Sequence, residues 1–507
     1  MLLLPFRRGN LERRWSLRHN YMTLPQPLMR EAKTPMPRPE TLQKFRDIVG
    51  AKGYADEAAV LAPHLVEWRG LYQGTCAAML SPASTAEVSA IMALAHETRM
   101  MIVPQGGNTG LVGGQIPFSQ DAILLSLSRM NRLRGIDPLN NTMSVDAGMT
   151  LAQAQAHASE ASRLFPLSLA SEGSCQIGGN LATNAGGTAV LRYGNMRDLT
   201  LGLEVVLADG RVLSSLKGLR KDNTGYDLKQ LFIGSEGTLG IITGAVLKLF
   251  AAPVAIETAF VAVPDVASAV ALLRLMEGAA GGQVSTFELI PRIGLDFVLR
   301  HLPGASDPLD QPSPWYVLVE MTGGRKASDL QDVMEAALAD GLDARLAMDA
   351  AVARSESQRQ AFWRLRESLS EIQKAEGGSI KHDVSVPVSS IAAFIEQASR
   401  AVEAAMPGIR PVPFGHIGDG NVHFNLSQPL GMDKAAYLAH WDEMNAIVHG
   451  IVRGMGGSIS AEHGVGIMKR DEIAATKSSV ETDLMRALKK TLDPRGILNP
   501  GKVVAAD

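Results

Sequence analysis

The sequence predicts an α+β protein with two larger domains, and three observations support this fold class. Helix and strand signals mix in the first half of the chain without the regular βαβ alternation of a doubly wound sheet. Three glycine-rich blocks, Pro104–Gly114, Gly173–Gly187 and Gly234–Ile242, lie within about 140 residues of that half. Near residue 253 the pattern changes to strands and helices that alternate, which indicates a compact α/β sandwich.

The same changes in pattern suggest where the domains begin and end. The predicted divisions are a disordered, arginine-rich extension over residues 1–39, a cofactor-binding domain over 40–253, a substrate- and metal-binding domain over 254–490, and a C-terminal segment over 491–507 that closes on the cofactor.

Composition narrows the classes of function. The net charge of −3 gives no electrostatic reason to expect nucleic acid as a partner. No uninterrupted apolar run is long enough for a membrane span. Cys76 and Cys175 are the only cysteines, so no disulfide framework is expected. This cysteine usage predicts a reducing compartment, which is the cytoplasm for a bacterial protein or the mitochondrial matrix for a eukaryotic one.

In the first half, a capping box at Ser84–Glu87 predicts a helix that runs to about Thr98. Met101–Val103 then reads as a buried strand that leads into the first glycine block. The remaining predicted strands are 123–127, 143–147, and 203–208, the last turning at Asp209-Gly210 into 211–213.

The second half shows longer elements. The predicted strands are 256–263, 284–290 and 315–320, and the predicted helices are 265–277, 328–339, 356–376 and 434–453. Residues 303–314 are rich in Pro, Asp and Ser and indicate a surface loop, while 492–502 read as turns.

Two short motifs in this half predict a metal site. Gly415–His423 carries His416 and His423, and Ser460–Gly464 carries Glu462 and His463. Two imidazoles and one carboxylate suit a catalytic divalent ion with an open coordination position. His463 follows a candidate ligand directly and could act as a base beside the metal. The alternative interpretation is a pair of glycine-rich turns with incidental histidines, which the clustering of histidines disfavours.

The glycine blocks indicate a nucleotide cofactor. A loop such as Gly106–Gly110 after a strand lets backbone N–H groups converge on a pyrophosphate. No G-x-G-x-x-G follows a strand and opens a helix, which disfavours a Rossmann unit. One block alone would be read as tight turns, but three blocks favour an extended cofactor across one domain.

The chain resembles a known family in segments that run from about residue 45 to Val503. The most specific are Gly173–Gly187, Leu219–Leu228, Gly234–Ile242 and the two metal motifs. They are similar to the FAD-dependent D-2-hydroxyacid dehydrogenases, a group with D-2-hydroxyglutarate and D-lactate dehydrogenases and the glycolate oxidase flavin subunit. The resemblance implies a vanillyl-alcohol-oxidase (PCMH) type FAD-binding domain followed by an α/β substrate domain.

The resemblance implies FAD as the cofactor and assigns residues to it. Those expected to hold FAD are Gly106, Gly107, Asn108, Thr109, Gly110, Gly178, Gly179, Asn180, Thr183, Asn184, Gly187, Ile241, Ile242 and Asn499. Relatives that link FAD covalently carry a histidine in the pyrophosphate loop, where this chain has Asn108. Non-covalent FAD is therefore expected. Cys175 is interpreted as a small buried packing residue.

The resemblance also implies a reaction and its residues. His416, His423 and Glu462 would bind one divalent metal, with zinc expected and manganese or cobalt also compatible. His463 would take the hydroxyl proton of a D-2-hydroxy acid as hydride leaves C2 for flavin N5. The residues expected to contact substrate are Arg366, Ser370, Lys381, Asn425 and His463. Many relatives carry threonine at position 370, which leaves the preferred chain length open.

D-2-hydroxyglutarate is the expected substrate. D-lactate oxidation, or service as the flavin subunit of a glycolate oxidase complex, are the alternatives. Taken without the resemblance, Arg366 reads equally well as a solvated helix charge. The sequence leaves the electron acceptor open among electron-transferring flavoprotein, a quinone and a cytochrome, and it is compatible with a homodimer.

Overall fold

Two groups of sheets make up the computed structural model, which describes residues 39–324 and 327–505. The predicted disordered extension over 1–39 lies outside the described residues except for residue 39, where the first helix begins. In the part of the chain that the structure describes, none of the helices is long and apolar enough to cross a membrane.

The first half carries short strands and helices. Its elements are α1 Pro39–Val49, β1 Tyr54–Ala55, α2 Ala58–Leu61, β2 Ala78–Leu80, α3 Thr85–Thr98, β3 Met101–Gln105, β4 Ala122–Ser126, β5 Leu133–Asp137, β6 Thr142–Asp146, α4 Leu151–Glu160, β7 Arg163–Leu164, α5 Ile177–Thr183, α6 Val190–Tyr193, β8 Thr200–Val206, β9 Val212–Ser215, α7 Lys229–Phe232, β10 Ile241–Lys248 and β11 Phe250–Ala251.

The second half has the longer elements that its pattern predicts. They are β12 Ala255–Val263, α8 Val266–Ala280, β13 Val284–Pro291, α9 Arg292–His301, β14 Trp315–Gly323, α10 Ala327–Asp343, β15 Asp349–Val352, α11 Glu356–Ile372, β16 Ser379–Ile380, β17 Asp383–Ser385, α12 Ile391–Ala405, β18 Arg410–His416, β19 Asn421–Ser427, α13 Lys434–Leu438, α14 Trp441–Gly454, α15 Arg470–Thr476 and α16 Ser479–Leu492.

The strands of the first half form a four-stranded sheet, a five-stranded sheet and the β7–β11 pair, and those of the second half form one larger sheet. The order β1-β2-β4-β3 has β2 and β3 parallel to β4, while β5-β6-β10-β8-β9 is antiparallel. The second half forms the order β15-β12-β14-β13-β18-β19-β16, and β17 also pairs with β19. This mixed architecture confirms the predicted α+β class.

Two segments differ from their prediction. The helix predicted over 434–453 is divided between α13 and α14, because the buried Tyr437 hydroxyl donates to Leu426 O and anchors the first piece to β19. The glycine block at 173–187 contains a helix, α5, whose Ile177 and Leu181 are buried. Packing of these side chains outweighs the low helix propensity of the two glycines.

The capping box is half formed. Ser84 Oγ accepts the N–H of Glu87 as predicted, but the Glu87 carboxylate accepts from Ala83 N rather than from Ser84. The helix begins where the sequence predicts, since one satisfied N-terminal donor and the acidic first turn already favour that start.

Alternation along the strands of the large sheet sets the orientation of the site. In β19, Val422, Phe424 and Leu426 join the hydrophobic cluster on one side of the sheet. His423 and Asn425 alternate with them and therefore face the side that α11 covers. Phe414 of β18 lies in the cluster on that second side, so His416 shares its face.

Hydrophobic clusters follow the change in pattern near residue 253. One cluster draws its residues from Phe45 to Leu249 and adds Ile497 and Leu498 from the C-terminal segment. Another runs from Ala255 to Ile459. The domain boundaries at 253 and 490 remain predictions.

Candidate active site

The first two glycine blocks lie against each other. Gly106–Gly110 follow β3, and a Cβ added at Gly107 would lie 1.8 Å from Ser174 O, so only glycine allows this approach. Gly106 faces Gln176 and Gly179 at 3.6 Å from its Cβ position. Asn108 adopts a positive φ of 55° and donates through Nδ2 to Pro63 O and Val66 O. The loop is therefore held in shape by its own contacts.

The C-terminal segment closes over these blocks. Asn499 Nδ2 donates to Gly114 O at 2.9 Å and to Glu236 O at 2.8 Å. Lys502 Nζ donates to Gly113 O at 2.9 Å and to Ile116 O at 3.0 Å. Asn499 thus joins the first and third blocks, as expected of a residue that closes a cofactor site.

Two buried polar atoms beside the blocks have no partner within the described residues. They are Gln176 Oε1, which lies 3.6 Å from the Cβ position of Gly106, and Asn499 Oδ1. A buried acceptor without a hydrogen bond is costly, and a polar ligand would satisfy both atoms. The residues at the meeting point of the blocks therefore fit a cofactor with several hydrogen-bonding groups, as FAD is.

Other residues expected to hold FAD shape the blocks through internal contacts. Asn180 Nδ2 donates to Cys175 Sγ at 3.6 Å, and Asn184 Oδ1 accepts from Arg197 N at 2.9 Å. Thr183 Oγ1 donates to Gly179 O at 3.1 Å. The remaining ones lie on the same blocks, and they are Thr109, Gly110, Gly178, Gly187, Ile241 and Ile242. Cys175 is buried and free of any disulfide, as its interpretation as a packing residue requires.

The predicted metal residues converge. Each of His416, His423 and Glu462 offers one ligand atom, and these atoms all lie within 4.8 Å of one another. His416 Nε2 is 3.9 Å from Glu462 Oε2, and the two imidazole rings meet edge to face at 5.4 Å. Burial lowers the pKa of His423 well below its usual value, which keeps that ring in the neutral form that a metal requires.

A buried glutamate on β13 orients His416. Glu288 Oε1 lies 2.5 Å from His416 Nδ1, which leaves Nε2 of that ring for the ligand set. Glu288 Oε2 accepts from Arg366 Nε at 2.7 Å. Burial alone would raise the pKa of Glu288, but Arg366 and His416 hold it at about 2. Burial alone would lower the pKa of His416, but Glu288 raises it to about 9.

Asp383 organises the other side of the site. Its Oδ2 accepts the backbone N–H groups of Glu462 at 2.9 Å and His463 at 3.0 Å, and it lies 3.4 Å from His463 Nδ1. Its Oδ1 accepts from Asn421 Nδ2 at 3.0 Å. Burial lowers the pKa of His463, and the charge of Asp383 opposes that shift. Asp383 thus fixes the backbone at His463 and places a negative charge beside Nδ1 of its ring.

A second group of possible ligands comprises Asp383, Glu462 and His463. The Oδ2 atom of Asp383 already accepts two backbone N–H groups, which makes it a poorer ligand than the imidazoles of the first group. The geometry therefore favours the set of His416, His423 and Glu462.

The expected substrate contacts occupy different surroundings. Arg366 is buried and paired with Glu288, so it is not a solvated helix charge. Lys381 Nζ donates to Ser370 O at 2.6 Å, and Ser370 itself is exposed. Burial, with the charges of Arg69 and Lys374, lowers the pKa of Lys381 to about 8. Asn425 is buried and donates to Gln373 Oε1 at 3.1 Å.

Glu288, Asp383, Glu236 and Arg69 are site residues to which the sequence motifs assign no role. Glu288 is the single charged residue in the predicted strand 284–290, and such a residue is a signal because an unpaired buried carboxylate is costly. Asp383 stands two residues after Lys381 in a short strand. Arg69 and Glu236 lie far from the metal motifs in the chain, and no local pattern connects them to those motifs.

Comparisons with known proteins show the family to which the chain belongs. The profile of the family described as "FAD binding domain" matches residues 76–215, and that described as "FAD linked oxidases, C-terminal domain" matches residues 252–503. A probable D-2-hydroxyglutarate dehydrogenase, mitochondrial, of Oryza sativa subsp. indica is 40% identical over 462 residues, which cover 91% of this chain and 81% of the relative.

Two further comparisons extend the result. A D-2-hydroxyglutarate–pyruvate transhydrogenase of Saccharomyces cerevisiae is 35% identical over 92% of this chain and 94% of the relative. The solved structure of p-cresol methylhydroxylase with substrate bound matches with a TM-score of 0.71 at 18% identity, over 92% of this chain and 96% of that one. This likeness confirms the predicted PCMH-type fold. The chain belongs to the FAD-dependent D-2-hydroxyacid dehydrogenases, oxidoreductases that act on a CH–OH group.

Proposed function

We propose that this protein oxidises D-2-hydroxyglutarate to the 2-oxo acid with a divalent metal held by His416, His423 and Glu462. The observation that carries the proposal is the convergence of these ligand atoms beside His463, with Glu288 bonded to the far nitrogen of His416. Zinc suits two nitrogens and one oxygen with no thiolate, and manganese or cobalt are compatible with the same set.

Each bound group would supply one part of the chemistry. The metal would act as a Lewis acid on the substrate hydroxyl and FAD as the acceptor of hydride from C2. The residues of the chain do the rest. His463 takes the hydroxyl proton at Nε2, and Asp383 holds its ring and both backbone N–H groups of the Glu462-His463 pair in place.

Lys381, Ser370 and Asn425 would contact the substrate carboxylates, together with the part of the Arg366 guanidinium that Glu288 does not engage. The charges of Arg69 and Lys374 lie close enough to lower the pKa of Lys381, so the site gathers cations. A dicarboxylate is the ligand that such an arrangement stabilises best.

One observation favours a second candidate, D-lactate. Arg366 is committed to a buried ion pair with Glu288, which reduces its capacity to hold a second carboxylate. If Lys381 is the main remaining anchor, a monocarboxylate would be bound nearly as well. The same observation supports a role as the flavin subunit of a glycolate oxidase complex, since glycolate also carries one carboxylate.

The proposal also covers the linkage of FAD, the electron acceptor, the oligomeric state and the compartment. FAD is held without a covalent bond, because Asn108 stands in the pyrophosphate loop. The electron acceptor is an electron-transferring flavoprotein, a quinone or a cytochrome, and a homodimer is the proposed assembly. The relative from Oryza is named a mitochondrial protein, which supports the matrix over the bacterial cytoplasm as the compartment.

An anaerobic substrate panel tests the function. Purified protein with its FAD is mixed separately with D- and L-2-hydroxyglutarate, D-malate, D-lactate and glycolate, and the loss of flavin absorbance is followed. We expect rapid loss with D-2-hydroxyglutarate and none with its L enantiomer. If no D-2-hydroxy acid reduces the flavin, the proposal is wrong. A higher kcat/KM for D-lactate than for both dicarboxylates would favour the second candidate.

A further inference from the structure

Four segments that build the site meet at one residue, Glu236. Its backbone N–H donates to Ala182 O of α5 at 2.8 Å, and its carbonyl accepts from Asn499 Nδ2 at 2.8 Å. Its side chain accepts the backbone N–H of Val465 at 2.6 Å through Oε1 and that of Gly466 at 2.8 Å through Oε2. The second glycine block, the C-terminal segment and the loop after His463 are thereby joined.

The first glycine block reaches the same carboxylate. A Cβ added at Gly114 would lie 3.0 Å from Glu236 Oε2, so the backbone there runs directly past the side chain. On the opposite side, a Cβ at Gly464 would lie 2.8 Å from Glu236 Oε1, and Gly464 has a positive φ of 81°. The carboxylate is therefore clamped between the cofactor blocks and the residue that follows His463.

Holding Glu236 in this position has a free-energy cost. Its backbone φ of 50° lies in the left-handed region, which residues other than glycine rarely adopt. The side chain is buried, and burial raises its pKa, opposed by the two backbone donors and by Lys469 and Lys502. Backbone strain at a buried carboxyl group persists only where the surrounding structure demands it, and strained positions cluster at functional sites.

The loop over residues 462–466 is consequently held from both sides. Asp383 of the second half accepts the N–H groups of Glu462 and His463, and Glu236 of the first half accepts those of Val465 and Gly466. Each carboxylate accepts from two consecutive backbone N–H groups. Asp383 fixes His463 relative to the large sheet, and Glu236 adds a tie to the cofactor blocks on the C-terminal side of His463, as the bond from Gly187 N–H to Glu462 Oε1 does on its N-terminal side.

We propose that Glu236 is a positioning residue that fixes the base His463 against the cofactor-binding blocks through the backbone of Val465 and Gly466. The inference rests on the proposed function, in which His463 is the base. Glu236 itself touches neither substrate nor proton in this role. Glu236 sets the distance between His463 and the cofactor-binding blocks, which come from different parts of the chain. An error of about 1 Å in such a distance can lower the reaction rate about 10²-fold.

Glu236→Gln tests the proposal while keeping the size of the side chain. The amide oxygen can accept one of the two N–H groups, but the amide nitrogen opposes the other. We expect FAD and metal contents to match those of the wild type and amide hydrogen exchange to accelerate in peptides that contain Val465 and Gly466. The rate constant of anaerobic flavin reduction should fall about 10- to 100-fold, with the substrate Kd changed less than threefold.

Glu204→Gln is the matched control. Glu204 is a poorly exposed carboxylate of the same half, and it accepts from Thr85, Arg134 and Thr243. This variant should lower the Tm but keep the wild-type exchange rates at Val465 and Gly466 and the wild-type rate constant. A general loss of stability is thereby separated from a loss of positioning.

Gly464→Ala approaches the same contact from the other side and carries the test if Glu236→Gln does not fold. Its methyl group would crowd Glu236 Oε1, so we expect the same faster exchange and slower flavin reduction with FAD retained. A wild-type rate constant in either folded variant would overturn the proposal, and so would loss of FAD from Glu236→Gln. Failure of the wild-type protein to reduce its flavin would instead refute the proposed function.

Discussion

Replacing Glu288 with Gln should weaken metal binding although it substitutes none of the proposed metal ligands. Glu288 has a fully buried side chain between two groups of the site. One oxygen fixes His416 through its Nδ1, and the other accepts from Arg366. The glutamine keeps the shape but loses the negative charge. His416 then becomes a weaker ligand, because the carboxylate no longer increases the basicity of its ring.

These contacts determine how much metal affinity and how much folding stability the Glu288→Gln variant should lose. Loss of a hydrogen-bonded partner behind a metal-binding histidine costs about 10- to 100-fold in metal affinity, which corresponds to about 1.4–2.8 kcal/mol. Arg366 has 9% of its side chain exposed and would lose its counter-charge. Breaking a buried pair by removing one partner costs about 3–5 kcal/mol of folding stability. The amide oxygen can still accept from Arg366, so we expect the lower end of that range.

Competition with a chelator of known affinity measures the metal Kd, and denaturant unfolding measures the stability of both forms. Glu320→Gln is the matched control, because Glu320 lies on the adjacent β14 and accepts from Thr258, Arg359 and Trp363 without contacting a metal residue. This control should lose stability and keep its metal Kd. A metal Kd in folded Glu288→Gln within twofold of wild type would refute the reasoning.

Three further predictions concern the base, the cofactor and the substrate. His463→Ala should keep FAD and metal but lose about 10²–10⁴-fold in the rate of flavin reduction, and a near-normal rate would assign His463 a structural role. Acid precipitation should release all FAD, since Asn108 offers no histidyl nitrogen, and flavin fluorescence left on the polypeptide would contradict this. Lys381 binds carboxylate only when protonated, so kcat/KM for D-2-hydroxyglutarate should fall as pH rises above about 8. Lys381→Met should lack that fall, and an unchanged pH profile would show that another group titrates.

Much of the fold was predictable because its signals are local. The predicted strands over 256–263, 284–290 and 315–320 and the N-cap at Ser84 depend on neighbours in sequence, and the structure confirms them. The helix α5 was missed because glycine-rich segments carry no helical signal of their own. Its stability comes from Ile177 and Leu181 packing into the core of the first half, which is a tertiary effect.

The residues of the site also fall into those that a local motif predicts and those that only tertiary structure brings into place. His416, His423, Glu462 and His463 could be found because their chemistry is concentrated in two short motifs. The carboxylates that orient them could not, because each comes from a distant part of the chain. Glu288 is 128 residues from His416, and Asp383 is 80 residues from His463. A motif shows which atoms can react, while the groups that hold those atoms depend on how the sheet brings distant strands together.

Glu462 shows why the two halves of the chain must be considered together. Its Oε1 accepts the N–H of Gly187 in the second glycine block at 2.6 Å, while its Oε2 faces His416 Nε2 at 3.9 Å. Burial raises the pKa of this carboxyl, so it gives up its proton readily only to gain a cation or a strong donor. A divalent ion at Oε2 and the Gly187 N–H at Oε1 both favour the ionised form. In the proposed metal site, an ion at Oε2 and the Gly187 N–H at Oε1 would each stabilise the charge that the other requires.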